Sequence, residues 1–144
     1  MKKTVALLVL CTLGLVAADN PFVGTWKLNV AKSTFNPGPA PQSETVVIRA
    51  DNKVQVTGAD ANGQAQKWSY TYTQGTAATI TGVPDATVTE TRKGHTTDQV
   101  WKIGKGMQTG HGVISKDGKT MNYTITGTDA DGKPASGTSV YEKQ

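Results

Sequence analysis

Apolar and polar side chains alternate strictly along residues 67–73, and this alternation constrains the fold more than any other feature of the chain. The aromatic positions, which share one face of an extended strand, are Trp68, Tyr70 and Tyr72. The same two-residue period returns over residues 121–126. After residue 18, no segment repeats apolar side chains at helical spacing for long enough to indicate a helix. The pattern therefore predicts an all-β chain.

Similar runs of β-branched and aromatic residues, separated by Gly, Asn, Asp and Pro, predict about ten strands. They cover residues 23–30, 44–50, 53–58, 64–73, 76–81, 86–92, 97–103, 107–115, 119–127 and 134–142. Asn-Gly and Asp-Gly pairs between them suit tight antiparallel hairpins. Because closure removes unpaired edges, we expect an up-and-down antiparallel β-barrel of about 8–10 strands. The proline-rich segment 36–42 cannot pair in a ladder and should connect the first strand to the second.

Residues 1–18 have the composition of a secretory signal peptide. Lys2 and Lys3 precede an apolar stretch, and small residues at the end provide a cleavage site after Ala18. The apolar stretch is too short to span a bilayer comfortably. We therefore expect no membrane span, and a single domain of residues 19–144 that is secreted or periplasmic. The only cysteine, Cys11, belongs to the leader, so the expected domain contains no disulfide.

The charges of the expected domain are nearly balanced and dispersed. Without Lys2 and Lys3, 13 basic residues face 11 acidic ones, which lowers the formal net charge from +4 to +2. No run of like charge exceeds two residues. Because binding to a phosphate backbone requires a concentrated basic face, nucleic acid is not an expected partner. We expect a monomer.

Two short motifs, one near each end of residues 19–144, carry a family resemblance. Residues 22–28 read FVGTWKL and residues 140–143 read VYEK. The first resembles the Gly-X-Trp strand that opens proteins of the calycin superfamily, the lipocalins and fatty-acid-binding proteins. The second is similar to the last strand of the fatty-acid-binding proteins. The chain as a whole resembles small secreted bacterial lipocalin-like proteins, which share SKDGKTM and GTDADGKP. The resemblance implies that the first and last strands close a barrel and that Trp26 plugs one end.

The resemblance also defines a difference at the ligand site. Fatty-acid-binding proteins hold a carboxylate with an Arg-X-Tyr triplet in the last strand, and the corresponding triplet here is Ser139-Val140-Tyr141. The tyrosine is present and the cation is missing. A carboxylate loses its hydration in a low-dielectric cavity and needs a paired cation. We therefore expect a neutral or weakly polar apolar ligand rather than a fatty acid anion.

Side chains on the alternating faces are the candidates for lining a cavity, since barrel mouths commonly bind apolar ligands. The candidate ligand-binding residues are Trp68, Tyr70, Tyr72, Trp101, Ile103, Met121, Tyr123, Tyr141 and Arg92. Glu90 and Arg92 share a strand face with Val88, so all three point inward or none does. Pointing inward, Glu90 and Arg92 would form a polar cavity floor or a ligand clamp, since unpaired buried charges are costly. Pointing outward, they are simply solvated, and we favour this orientation.

The sequence offers little for catalysis or metal binding. His95 lies in a Lys-Gly-His-Thr segment that is typical of a turn, whereas His111 lies between two glycines on a predicted strand, from which it can face the cavity. A serine nucleophile needs a supported histidine nearby, and a zinc site needs three or four convergent ligands. We expect no enzyme activity, no cofactor and no metal.

Two interpretations of function remain open. In the first, the protein is a secreted or periplasmic barrel that binds a small apolar or amphipathic molecule. In the second, it is a protein-binding or inhibitor barrel of the cell envelope, which uses the rigid segment 36–42 and has no cavity ligand. An internal cavity favours the first interpretation, and a filled barrel favours the second.

Overall fold

The computed structural model describes residues 19–144, and the predicted signal peptide lies outside the described residues. Eleven strands and one short 3-10 helix, Val30–Lys32, make up its regular structure. The strands are β1 Gly24–Leu28, β2 Thr34–Asn36, β3 Ser43–Ile48, β4 Lys53–Ala59, β5 Ala65–Thr71, β6 Ala77–Thr79, β7 Ala86–Lys93, β8 Thr96–Ile103, β9 Gly106–Ile114, β10 Thr120–Thr128 and β11 Pro134–Lys143. Ten of them match the ten predicted strands within a few residues, and β2 was not predicted.

All neighbouring strands pair antiparallel, in the order β5-β4-β3-β1-β11-β10-β9-β8-β7-β6. The outermost strands of this order approach each other through one residue pair, Ser69 and Thr81, which exchange backbone hydrogen bonds of 3.0 and 2.9 Å. We call this contact the β5–β6 seam. The sheet is therefore a nearly closed ten-stranded barrel with β2 outside the main path, which confirms the predicted up-and-down architecture.

The first predicted strand, 23–30, ends early at Leu28, because the side chains that follow it bond both to the short helix and to the distant strand β11. The side chain of Asn29 caps the 3-10 helix by accepting from the backbone N–H of Lys32, and it also donates to Glu142. Ser33 then accepts from the N–H of Val140, which returns the chain to β11. As a result, β2 pairs with residues 136–138 of β11 beyond the short helix. The proline-rich segment that follows lies outside the ladders, as expected.

Trp26 lies where the first and last strands meet. It is opposite Lys143 of β11 and Val46 of β3, and none of its surface is exposed (0%). Its indole N–H donates to the carbonyl of Phe22 at 2.8 Å. Burial of a large aromatic ring with its polar group satisfied fits the plug that the resemblance implied.

Candidate functional site

The inward faces of the barrel strands enclose a cavity of about 320 Å³. Of the nine candidate residues, eight line it: Trp68, Tyr70, Arg92, Trp101, Ile103, Met121, Tyr123 and Tyr141. Aliphatic side chains from β3 and β4 complete much of the wall, among them Val46, Ile48, Val54 and Val56. The volume lies at the lower end of the range of about 300–1,000 Å³ that is usual for ligand pockets.

Tyr72 is the one candidate that does not line the cavity. Its ring instead covers the guanidinium of Arg92, whose central carbon lies 4.1 Å from the ring centroid. Phe22 lies 4.9 Å from the same carbon. The hydroxyl of Tyr72 bonds to the side chain of Gln74. Tyr72 follows the end of β5 at Thr71, and its ring packs on Arg92 rather than on the cavity.

Three of the lining rings pack against one another. Trp101 meets Trp68 and Tyr70 edge to face, with centroid distances of 5.6 and 6.0 Å. Trp68 and Tyr70 lie nearly parallel, 6.4 Å apart. Such packing gives the cavity a preformed aromatic wall, because edge-to-face contacts add stability beyond the area they bury.

Glu90 and Arg92 point into the barrel, which corrects the solvated orientation favoured from sequence. Their side chains are 3% and 7% exposed, and Nε of Arg92 lies 2.6 Å from Oε1 of Glu90. Thr97 donates to Oε1 at 2.9 Å and Tyr70 donates to Oε2 at 2.6 Å. The cost of burying the carboxylate is offset by these donors, which come from other strands and cannot be identified from the sequence around Glu90. We call these four residues the Glu90 cluster.

A hydrogen-bonded chain runs from the Glu90 cluster across the cavity wall. The amide of Gln99 donates to Tyr70 at 3.2 Å, and its carbonyl oxygen accepts from Tyr123 at 2.7 Å. The indole of Trp101 donates to Tyr123 at 2.8 Å. Burial raises the pKa of the Tyr70 and Tyr123 hydroxyls, and in Tyr70 the nearby Glu90 carboxylate raises it further. Both phenols therefore remain neutral donors. Nη1 of Arg92 is buried and has no acceptor among residues 19–144.

A second carboxyl, Glu44, lines the cavity on β3. It accepts a hydrogen bond of 2.5 Å from the hydroxyl of Tyr141. Burial raises the pKa of Glu44, although the bond from Tyr141 opposes this shift. Burial, followed by the charge of Glu44, raises the pKa of Tyr141. Sequence reasoning missed Glu44, but the signal was present, because Glu44 shares its strand face with Val46 and Ile48.

The two histidines lie outside the cavity. His111, which the sequence allowed to face inward, is on the outer surface and contacts Asp98 at 2.6 Å. Nδ1 of His95 lies 3.3 Å from the carbonyl of Ile114, near the β7–β8 turn. Within residues 19–144, no group of three or more His, Asp or Glu side chains converges as a metal site would require. No helix in the same range is both long and apolar enough to cross a membrane.

Comparison with solved structures identifies the fold. The crystal structure of the fluorescent protein UnaG aligns with a TM-score of 0.56 and 18% identity over 85% of this chain and 97% of its own. A structure of a single-residue variant of UnaG gives a TM-score of 0.53 and 15% identity over 86% and 96%. No protein-family model and no curated protein matches the chain. The barrel therefore shares the overall fold of UnaG, a nearly closed antiparallel β-barrel.

Proposed function

We propose that the protein binds, without converting it, a small apolar or amphipathic molecule that carries no negative charge. The observation that carries this proposal is the cavity of about 320 Å³, which is lined by aromatic and aliphatic side chains with a few placed polar groups. A completely filled barrel would have favoured the protein-binding alternative. The composition of residues 1–18 supports a secreted or periplasmic setting as part of the proposal.

The charges inside the cavity argue against an anionic ligand. Among its lining residues the ionisable acids and bases are Glu44, Glu90 and Arg92, and the guanidinium is already paired with Glu90. Ser139, which also lines the cavity, supplies only a hydroxyl. A carboxylate that entered would lose its hydration and meet two resident acids, and the charge of the only lining guanidinium is already shared with Glu90, which leaves only Nη1 of Arg92 without an acceptor.

A titration of matched ligands tests the proposal. Delipidated protein is titrated with a long-chain acid, its methyl ester and the corresponding alcohol, and tryptophan fluorescence is followed because Trp68 and Trp101 line the cavity. We expect the ester and the alcohol to bind more tightly than the acid. Tighter binding of the acid would overturn the preference, and binding of none of the three would favour a protein partner.

A pair of variants on one strand checks that binding occurs inside the barrel. Ile103→Phe places extra volume in the cavity, whereas Val100→Phe adds the same kind of ring to the outer surface of β8. We expect Ile103→Phe to weaken binding of the alcohol and Val100→Phe to leave it unchanged. Equal behaviour of the two variants would place the ligand elsewhere.

A further inference from the structure

We propose that the ligand is an amphipathic amine whose protonated nitrogen pairs with the carboxylate of Glu44. This inference rests on the proposed function and specifies the polar group of the ligand. It follows from the unequal way in which the barrel satisfies its two internal carboxyls.

The Glu90 carboxyl is fully partnered by the protein. It receives hydrogen bonds from Thr97 and Tyr70, and the Arg92 guanidinium neutralises its charge at 2.6 Å. A ligand cation has nothing to add at this position, because Arg92 already occupies it.

The Glu44 carboxyl has a hydrogen bond but no cation. The bond from Tyr141 is 2.5 Å long, and none of the ion pairs formed within the described residues includes Glu44. The adjacent strands do not supply the missing charge, since Lys27 of β1 and Lys53 of β4 are exposed. The other ionisable groups near it are Tyr141 from β11 and Tyr123 from β10, and both carry hydroxyls that stay neutral because burial raises their pKa.

The cavity lining therefore has a formal charge of −1 when all three of its acids and bases are ionised: two carboxylates and one guanidinium. The empty barrel relieves this charge by favouring the protonated form of Glu44, whose pKa is raised by burial. An ammonium ion relieves it in another way, through a charge-assisted hydrogen bond that is about twice as strong as a neutral one. The aromatic and aliphatic wall then receives the apolar part of the same molecule.

This mechanism links amine binding to pH. A protonated Glu44 cannot pair with a cation, so binding of the ammonium requires the ionised carboxylate. Affinity for the amine should therefore increase as pH rises through the raised pKa of Glu44, while affinity for an uncharged alcohol should change little.

The test compares n-octylamine, n-octanol and n-octanoate in wild-type protein, Glu44→Gln and Glu142→Gln at neutral pH. Glu142→Gln is the matched control, because it removes the same charge from an exposed position on β11. In wild-type protein we expect the amine to bind about tenfold more tightly than the alcohol. The preference should disappear in Glu44→Gln and persist in Glu142→Gln.

The outcomes distinguish failure of the amine inference from failure of the proposed function. Equal binding of amine and alcohol by wild-type protein would overturn the amine inference and leave the proposed function intact, and so would an amine preference that survives in Glu44→Gln. Failure of all three ligands to bind would overturn the proposed function itself. If Glu44→Gln does not fold, the pH dependence of the amine-to-alcohol ratio in wild-type protein decides, and a ratio that does not rise with pH would overturn the inference.

Discussion

Glu90 and Glu44 are both inside one barrel and both accept a tyrosine hydroxyl, yet their surroundings differ. Glu90 has a cation two residues along its own strand face, and Thr97 donates to it from the next strand. Glu44 has Val46 and Ile48 along its strand face and depends on Tyr141 alone. The Glu90 carboxylate thus has both hydrogen-bond donors and a counter-charge, whereas Glu44 has a donor and forms none of the ion pairs found within the described residues. This difference assigns Glu90 a structural role, and it is the basis of the proposal that Glu44 pairs with a ligand.

The largest expected effect comes from removing the cation of the Glu90 cluster. Arg92→Met leaves the Glu90 carboxylate buried and uncompensated, which should lower the free energy of unfolding by about 3–5 kcal/mol. Urea denaturation measures the change. Arg49→Met is the control, because its ion pair with Asp51 is 58% and 55% exposed and should contribute at most about 1 kcal/mol. Similar losses of stability in the two variants would contradict the claim that the buried Arg92–Glu90 pair contributes more than an exposed ion pair.

Removing each tyrosine hydroxyl in turn compares the hydrogen bond to Glu90 with the hydrogen bond to Glu44. Tyr70→Phe deletes a donor to an ionised, paired carboxylate and should lower the free energy of unfolding by about 1.5–3 kcal/mol, the range for hydrogen bonds to charged groups. Tyr141→Phe deletes a donor to a carboxyl whose charge is suppressed by burial and should cost about 0.5–1.5 kcal/mol. Denaturation of both variants at neutral pH gives the two values, and a larger cost for Tyr141→Phe would reverse the assignment of roles.

The smallest effect concerns pH. Because burial raises the pKa of Glu44 above its ordinary value of 4.5, the folded protein binds this proton more tightly than the unfolded chain does. The resulting stability is fully present below pH 4.5 and is lost as pH rises through the raised pKa. Glu44→Gln imitates the protonated acid, so its stability should not show this loss. In thermal denaturation from acidic to neutral pH, the melting temperature of Glu44→Gln should therefore increase relative to that of wild-type protein as pH rises.

Glu142→Gln is a control for the pH experiment, because its stability relative to wild-type protein should change with pH in the opposite direction. Hydrogen bonds from Asn29 and Lys32 lower the pKa of the Glu142 carboxyl, so its contribution is present above the ordinary pKa and is lost as pH falls. The stability of Glu142→Gln should therefore fall relative to that of wild-type protein as pH rises. The same slope in both variants would contradict the difference between the exposed, partnered Glu142 carboxylate and the half-buried Glu44 carboxyl.

The strands were predictable because their periodicity and turns are local properties. The alternation around Trp68 and the Asn-Gly and Asp-Gly pairs can be read directly from the sequence, and the structure confirms the strands and turns that they predict. The break after Leu28 was not predictable, because it depends on Asn29 and Ser33 bonding to Glu142 and Val140, more than a hundred residues away.

The candidate site was predictable only in its apolar part. Strand parity puts Trp68, Tyr70 and Tyr72 on one face, and the first two of these line the cavity. Orientation of the charged residues depends on donors from other strands, such as Thr97 and Tyr70 for Glu90. The same parity rule that linked Glu90 to Val88 would have placed Glu44 inside with Val46. Burial cost alone, weighed without those partners, therefore gave the wrong orientation for Glu90 and Arg92.

The β5–β6 seam is held by fewer backbone hydrogen bonds than the paired strands elsewhere in the barrel. Nine residue pairs join β10 to β11, whereas, in the described part of the chain, only the pair Ser69 and Thr81 joins β5 to β6. Their immediate neighbours, Trp68 and Ile80, line the cavity. Local opening is easiest where few backbone hydrogen bonds must break, so the wall can part here while the rest of the barrel stays folded. If a ligand leaves the cavity through this seam, its release requires only local opening of the Ser69–Thr81 bridge and not unfolding of the whole barrel.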